Sequence, residues 1–335
     1  MKHLFTGAAI AALIAAAAPA MAKELKLSDV RPADATINKE LAVFADDVKA
    51  GTHGDVTIKL FPSSELGNYT TVQQRVSLGA IDMAVQPAST DTDRKMQISS
   101  FPYLAENWKQ ARAVYGPGGV IRDTMAKLFQ KQDITMLAAY PVYFGGIALN
   151  RAPISPGDPS VKKGIKVRVP GIKSFQLLGQ ALGYIPAPIP FSDAYTAVQT
   201  GVVDGVIGSG AEGYYASFRD VTKTYIPANT HFEVWYLTIS NETLNALSPE
   251  DRKALQTAAT TFETKRWTVA EADQAKNVKK LEGAGAKVVD LSDAQLEAMS
   301  KKVRAEVWPV ILTDIGKDWG SKILDKAKAQ EKAQD

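Results

Sequence analysis

The sequence has no cysteine. This absence excludes disulfides, zinc sites built from thiolates and catalytic thiols. It also excludes the lipidated cysteine that tethers many exported bacterial proteins at a new N-terminus. We predict no metal site and no cofactor.

Histidine is also scarce, and only His53 and His231 follow the first 22 residues. No His-Glu-x-x-His or Gly-x-Ser-x-Gly pattern occurs, so no zinc protease and no nucleophile elbow are indicated. The adjacent carboxylates Asp46-Asp47 and Glu250-Asp251 fall in helical patterns, where helix surfaces explain them better than acid–base pairs. We therefore predict no catalytic residue and a protein that is not an enzyme.

The formal charge is +3, with 22% charged and 45% hydrophobic residues. This balance is typical of a globular protein. The charge is too small to indicate a nucleic-acid partner, and no basic stripe is interleaved with aromatic residues.

The first 22 residues have the three parts of a signal peptide. Residues 1–3 are positive, Leu4 to Ala18 are almost wholly apolar, and Ala20-Met21-Ala22 is a cleavage pattern. We predict cleavage after Ala22 and, because no anchor remains, residence in the periplasm. An uncleaved membrane anchor is the alternative, although the apolar run is short for a bilayer span.

Short β-type runs alternate with helical patterns along the rest of the chain. Such alternation predicts α/β architecture with buried sheets. The predicted helices are 37–48 and 71–78, and the predicted strands are 25–27, 56–60, 81–85, 135–139, 147–149, 165–169, 202–207, 232–239 and 287–290.

A long helix is predicted after Ser248, which can cap it, with Pro249 in the first turn. No glycine or proline follows until Gly283, so the helix would be about 50 Å long at 1.5 Å per residue. Either one helix crosses two domains, or two helices break near 265–267.

A partial internal repeat relates residues 76–85 to residues 198–207. In each copy a helix ends at a glycine, Gly79 or Gly201, and a strand follows. Glycine suits a helix end because that position often needs a positive φ. Ligands of open α/β sheets bind beyond the carboxyl ends of strands, so two equivalent strand ends predict two similar lobes that face one cleft.

The segment Gly208–Gly213 reads Gly-x-Gly-x-x-Gly after a strand, and Glu233 follows 20 residues later, where a ribose-binding acid would lie. This pattern leaves open an exported NAD-dependent oxidoreductase. Against it, no convincing second βαβ strand precedes Glu233, and the glycines lie late in the chain. The same loop can offer backbone amides to a small anion.

Arg168 is the best candidate for ligand contact. It lies in the strand 165–169 and shares a face with Lys166 and Pro170. Its planar guanidinium can bind a carboxylate through two parallel hydrogen bonds. The alternative is an ordinary salt bridge on an edge strand.

The chain resembles the DctP-type solute-binding proteins of TRAP transporters over essentially its whole length after residue 22. The resemblance is densest in Phe61–Gly67, Leu78–Met83, Gly164–Pro170, Pro188–Tyr195 and Val198–Gly205. It implies a two-lobed periplasmic binding protein that closes on a small organic acid, without catalysis, as a monomer. It also implies delivery to a small and a large integral-membrane subunit, with transport driven by a sodium gradient.

The resemblance assigns Arg168 to the ligand carboxylate and Phe191 to packing against the ligand. From cleft placement we expect seven further contacts: Tyr69, Gln86, Ser89, Tyr143, Ser209, Glu212 and Trp235. Family members often read Asp-Gly-x-Glu where this chain has Asp204–Ile207. Pro87, Thr90 and Gly145 stand where sialic-acid binders carry charged residues, so we expect a ligand with one acidic group and apolar or aromatic character elsewhere.

The predicted lobes are discontinuous in sequence. Lobe I comprises 23–145 plus 234–273, and lobe II comprises 146–233 plus 274–325, with the long helix spanning both. Residues 326–335 alternate charges and alanines, which predicts a frayed C-terminal tail.

Overall fold

The computed structural model describes residues 22–333. All of the predicted signal peptide except Ala22 lies outside this range. The described chain forms two β-sheets flanked by helices, which confirms the α/β prediction. We call the part built on the first sheet lobe I and the part built on the second sheet lobe II. Within residues 22–333, no helix is long and apolar enough to span a bilayer.

The first sheet has five strands in the order β2-β1-β3-β10-β4. Strand β1 pairs in parallel with β2 and β3, whereas β10 is antiparallel to β3 and β4. The strands are β1 (Lys23–Asp29), β2 (Val56–Phe61), β3 (Met83–Gln86), β4 (Ile134–Phe144) and β10 (Phe232–Ser240).

The second sheet has six strands in the order β11-β9-β5-β8-β6-β7. Strand β6 is parallel to β7 and β8, and β5 is antiparallel to β8 and β9. The strands are β5 (Gly146–Leu149), β6 (Lys166–Val169), β7 (Ile185–Pro188), β8 (Gly205–Ser209), β9 (Thr224–Ile226) and β11 (Lys287–Val288).

Helices cover both sheets, and most of them bury an apolar stripe. In α1, for example, Ile37, Leu41, Phe44 and Val48 recur at helical spacing and are buried. The helices are α1 (Thr36–Gly51), α2 (Tyr69–Ser77), a 3-10 helix (Arg94–Ser100), α3 (Trp108–Tyr115), α4 (Val120–Gln130), α5 (Lys173–Ala181), α6 (Phe191–Gln199), α7 (Ala211–Phe218), α8 (Asn241–Asn245), α9 (Pro249–Gly283), α10 (Asp293–Ile315) and α11 (Lys317–Lys332).

Sequence reasoning missed the strands β7 and β9. Strand β7 contains Pro186 and Pro188, which resemble a loop. Proline is tolerated here because β7 is the edge of its sheet, where a missing N–H costs no ladder hydrogen bond. Strand β9 has three residues, too few for a period-2 pattern.

The long helix α9 is one helix of 35 residues. Ser248 Oγ accepts a hydrogen bond from Asp251 N at 3.0 Å and so caps its first turn. The helix packs against β4 and α1 of lobe I and against α7 and β11 of lobe II, so it spans both lobes. At the expected break, buried Arg266 instead donates to Pro141 O of β4 at 2.9 Å.

Both copies of the internal repeat have the same local geometry. Gly79 and Gly201 follow α2 and α6 with φ values of 71° and 76°. Ile81 and Val203 are then buried, and the strands β3 and β8 follow in different sheets. The positive φ explains why glycine stands at both positions.

Besides α9, which leads from β10 to β11, the chain passes from one sheet to the other at two adjoining points. Strand β4 leads into β5 through Gly145, and β9 leads into β10 through Thr230 and His231. Gly145 N donates to His231 O at 2.8 Å, and Gly145 O accepts from Thr230 N at 2.9 Å. The sheets change at these points. Strand β10 begins at Phe232, two residues before the predicted boundary at 234.

The C-terminal residues correct one expectation. Helix α11 runs to Lys332 and buries Leu324 and Ala327, so residues 326–332 are helical and not a frayed tail. The helix packs on α3 and α4, which follow β3 in the chain. Lys326, Lys328 and Lys332, three of the charges that suggested fraying, are exposed on the solvent side of this amphipathic helix. The other lobe assignments stay a prediction.

Candidate ligand-binding site

A cavity lies between the two lobes. Its volume is about 640 Å³, including the opening to solvent. Five of the nine predicted site residues line it. The lining residues are Val30, Arg31, Tyr69, Pro87, Ala88, Ser99, Ser100, Tyr143, Glu233, Val234 and Trp235 from lobe I, and Arg168, Pro170, Ile172, Phe175, Phe191 and Gly208 from lobe II.

Arg168 extends from β6, which lies inside the second sheet between β7 and β8. The residue is 2% exposed. Its Nε donates to Ile189 O at 2.8 Å, and its guanidinium carbon lies 5.7 Å from the centre of the Phe191 ring. Within residues 22–333 it forms no ion pair with a carboxylate, and its strand is not an edge strand. Burial lowers the pKa of Arg168 to about 10, against the opposing effect of nearby tyrosine hydroxyls.

Arg31 is a second buried arginine in the cavity wall, and sequence reasoning missed it. It follows β1, and its Nη2 lies 2.9 Å from Glu212 Oε2. Its guanidinium carbon lies 4.6 Å from the Trp235 ring and 5.0 Å from the Phe191 ring. Burial acts to lower its pKa, but the Glu212 carboxylate, together with Tyr143 and Asp29, outweighs burial and raises the pKa above the ordinary value. Its place beyond the carboxyl end of the first strand is the signal that could have found it.

Glu212 does not line the cavity. It lies in the first turn of α7 and accepts from Arg31 Nε at 3.0 Å, so its carboxylate is engaged by the opposite lobe. Glu212 was predicted to contact the ligand, whereas in the structure it forms an ion pair with Arg31 between the lobes.

Glu233 lines the cavity, although sequence reasoning considered it only as a ribose-binding acid and not as a contact of the organic acid. Trp235 Nε1 donates to its Oε1 at 2.8 Å, and His231 Nε2 lies 3.2 Å from its Oε2. A β-bulge between Glu233 and Val234 shifts the register against β4. Bulges re-aim side chains, which explains why three consecutive residues, 233–235, reach one cavity.

The predicted contacts Gln86, Ser89 and Ser209 are buried behind the cavity wall. Gln86 Nε2 donates to Tyr69 O at 2.6 Å, and Ser89 N donates to Gln73 Oε1 at 2.7 Å. These bonds hold the loop after β3, whose Pro87 and Ala88 face the cavity. A direct role of Gln86, Ser89 and Ser209 in ligand binding stays a prediction.

The glycine-rich segment after β8 is tightly packed. Gly208 has a φ of 98° and lines the cavity. A Cβ at Gly210 would lie 2.6 Å from Tyr143 Cδ2, and one at Gly213 would lie 2.5 Å from Arg31 Nη2. The two glycines allow this close approach and leave no space for a pyrophosphate. Among residues 22–333, no group of three or more histidine or carboxylate side chains could hold a metal ion.

The family model described as bacterial extracellular solute-binding protein, family 7 (DctP), matches residues 27–311. The chain belongs to this family. It is 27% identical over 319 residues to the solute-binding protein RD1_1052 of Roseobacter denitrificans, covering 93% of this chain and 96% of the relative. The predicted resemblance to DctP-type proteins is thereby confirmed.

Solved structures of this family share the fold. A TRAP periplasmic solute-binding protein from Ralstonia eutropha, solved with bound (S)-2-hydroxy-2-methyl-3-oxobutanoate, is 25% identical with a TM-score of 0.83, covering 91% of this chain and 99% of that one. A second, from Desulfovibrio salexigens with bound orotic acid, is 22% identical with a TM-score of 0.84, covering 93% and 99%.

The family 7 protein described here is a solute receptor and not an enzyme. The two-lobed fold and the family match confirm these two predictions. The alternative of an exported NAD-dependent oxidoreductase is not supported, and the packing of Gly210 and Gly213 gives the physical reason.

Proposed function

We propose that this chain is the extracytoplasmic receptor of a TRAP transporter and binds a small organic acid anion between its two lobes. Arg168 binds the ligand carboxylate, and Phe191, Tyr69, Tyr143 and Trp235 enclose the rest. The Ralstonia eutropha relative holds an organic acid, which supports this class of ligand.

The observation that carries the proposal is the state of Arg168. It is a buried guanidinium that lines the cavity and has no carboxylate partner within residues 22–333. A buried charge without a counterion is costly. A ligand carboxylate supplies that counterion through two parallel hydrogen bonds.

Both lobes contribute residues to the cavity wall, so a bound ligand favours closure of the lobes around it. Arg168 and Phe191 belong to lobe II, whereas Tyr69, Tyr143 and Trp235 belong to lobe I. A ligand that touches both sets stabilises the closed form over an open one. We propose that the closed, loaded receptor delivers the ligand to a small and a large integral-membrane subunit, and that it works as a monomer after cleavage behind Ala22.

The test is calorimetry with the acid that mass spectrometry identifies in the purified protein. Arg168→Ala removes one member of a buried pair, which costs about 3–5 kcal/mol, so affinity falls by roughly a hundred- to several-thousand-fold. Arg168→Lys also binds poorly, because an ammonium cannot make the two-pronged contact. The control Arg94→Ala changes an arginine side chain that is 74% exposed and leaves affinity unchanged.

Substitution of Arg168 lowers the affinity for ligand, but we expect it to raise the stability of the ligand-free protein. Arg168→Met removes an uncompensated buried charge, so we expect the free energy of unfolding without ligand to rise. Unchanged affinity in Arg168→Ala contradicts the proposed role of Arg168. A ligand-free Arg168→Met protein that is less stable than the wild type contradicts the argument from burial.

A further inference from the structure

The charges in the cavity wall are not balanced pair by pair. Arg31 is neutralised by Glu212, whereas Arg168 forms no ion pair within residues 22–333. Glu233 also lines the cavity, and no lysine or arginine in this range lies within ion-pair distance of it. Among the described residues of the cavity wall, Arg168 is therefore a guanidinium without an ion pair, and Glu233 is a carboxylate that no lysine or arginine neutralises.

We propose that Glu233 selects ligands by requiring a hydrogen-bond donor. The ligand is then a monocarboxylate with a hydroxyl, amino or ring N–H group, held by Arg168 at its acid and by Glu233 at its donor. Dicarboxylates, and acids whose other polar atoms only accept hydrogen bonds, are rejected. This inference rests on the proposed function and replaces the expectation of a ligand that is apolar beyond its acid.

The position of Glu233 is held by its neighbours. Trp235 Nε1 donates to Oε1 at 2.8 Å, and the fully buried His231 places Nε2 3.2 Å from Oε2. His231 Nδ1 in turn lies 3.0 Å from Thr230 Oγ1. The carboxylate is thus fixed before a ligand arrives, which lowers the ordering cost of binding.

A carboxylate only accepts hydrogen bonds, through about four lone-pair sites. Tyr69 and Tyr143 are two of the other polar side chains that lobe I contributes to the wall, with Arg31, Ser99 and Ser100. Burial raises the pKa of Tyr69 to about 12 and also raises the pKa of Tyr143, and the charge of Glu233 contributes to both increases, so both tyrosines stay protonated. A second carboxylate or a keto oxygen facing Glu233 would repel it and lose its own water without a replacement bond.

The experiment compares matched acids of three to six carbons by calorimetry: 2-hydroxy acids, 2-amino acids, 2-keto acids and dicarboxylates. We expect the wild type to bind a hydroxy or amino acid at least tenfold more tightly than the keto acid and dicarboxylate of the same length. Glu233→Gln offers an amide donor in place of one oxygen. We expect the preference for hydroxy or amino acids over keto acids and dicarboxylates to fall at least tenfold in the variant. The reason is that keto acids and dicarboxylates gain the amide as a hydrogen-bond donor.

One further variant serves as the control, and a second tests the inference independently. Glu297→Gln makes the same charge change on the exposed face of α10 and keeps the wild-type ratio. Trp235→Phe retains the Glu233 carboxylate but removes the Trp235 Nε1 donor to Glu233 Oε1. The preference for hydroxy acids over keto acids therefore becomes smaller but is not reversed. This second variant tests the inference even if Glu233→Gln does not fold.

Three outcomes would overturn the inference. The wild type could bind a keto acid or dicarboxylate as tightly as its hydroxy counterpart, or Glu233→Gln could keep the wild-type ratio. Binding that EDTA abolishes and calcium restores would show that Glu233 holds a cation instead. If Arg168→Ala abolishes binding in any of these cases, the inference about Glu233 fails but the proposed function is retained. If no acid binds the wild type, both fail.

Discussion

Arg31 and Glu212 form an ion pair between the lobes, with Arg31 Nη2 2.9 Å from Glu212 Oε2. Arg31 follows β1 of lobe I, and Glu212 lies in α7 of lobe II. Their side chains are 2% and 7% exposed. Because neither charge reaches bulk water, the pair holds the two lobes in the arrangement that encloses the cavity.

Glu212→Gln is expected to destabilise this arrangement strongly. It leaves the Arg31 guanidinium buried without its counterion, which typically costs about 3–5 kcal/mol. Urea unfolding measures the loss of stability, and small-angle X-ray scattering measures the population of open molecules, which we expect to rise.

The double variant Arg31→Met/Glu212→Leu separates charge from packing. Both charges are absent, so most of the lost stability returns. The exposed pair Arg304–Glu106 is the matched control, and Glu106→Gln costs less than about 1 kcal/mol. A Glu212→Gln protein as stable as the wild type would refute the role of the pair.

Asp29 makes stability depend on pH. Burial raises the pKa of Asp29 to about 7, although Arg31, backbone N–H groups and Asn38 Nδ2 act to lower it. The folded protein therefore binds this proton more tightly than the unfolded chain does. The contribution of Asp29 to stability is greatest below pH 4 and is lost as pH rises through 7.

Asp29→Asn is neutral at every pH, so its advantage over the wild type grows from pH 4 to pH 8. One pKa unit corresponds to 1.36 kcal/mol, which sets an upper limit of about 4 kcal/mol for the gain. Urea unfolding at both pH values gives this difference. Asp158→Asn is the control of opposite sign: hydrogen bonds from Ser160 lower the pKa of Asp158, so its loss reduces stability above pH 4. An advantage of Asp29→Asn that is constant with pH would contradict the prediction.

Gly145→Ala is expected to disturb the crossing between the lobes. A Cβ at Gly145 would collide with the His231 ring and lie 2.6 Å from Thr230 Oγ1. Separating these strands costs about 1–3 kcal/mol, measured as a loss of unfolding free energy. Gly283→Ala, where a Cβ meets nothing within 4 Å, is neutral or slightly stabilising. Equal effects of the two changes would exclude the steric explanation.

Within residues 22–333, local pattern predicted most of the strands and the helices α1, α2 and α9, whereas most of the other helices were not predicted. Period-2 and helical spacing located β1, β2 and α1, because each element buries one face regardless of what covers it. The glycines at 79 and 201 predicted the two helix ends, since a positive φ is a local requirement. The stretch without glycine or proline from 250 to 282 left one or two helices open. Only the bonds of Arg266 to β4 show why no break occurs there.

The sequence by itself determined most of the strands, three of the helices, the export pattern and Arg168 as a candidate on a strand, because these depend on neighbours in the chain. Only the tertiary structure decided that Glu212 binds Arg31, 181 residues away, and that Glu233 faces the cavity. Such partners are chosen where the ends of distant strands meet between two lobes. No periodicity within a segment records which distant charge will lie 3 Å away.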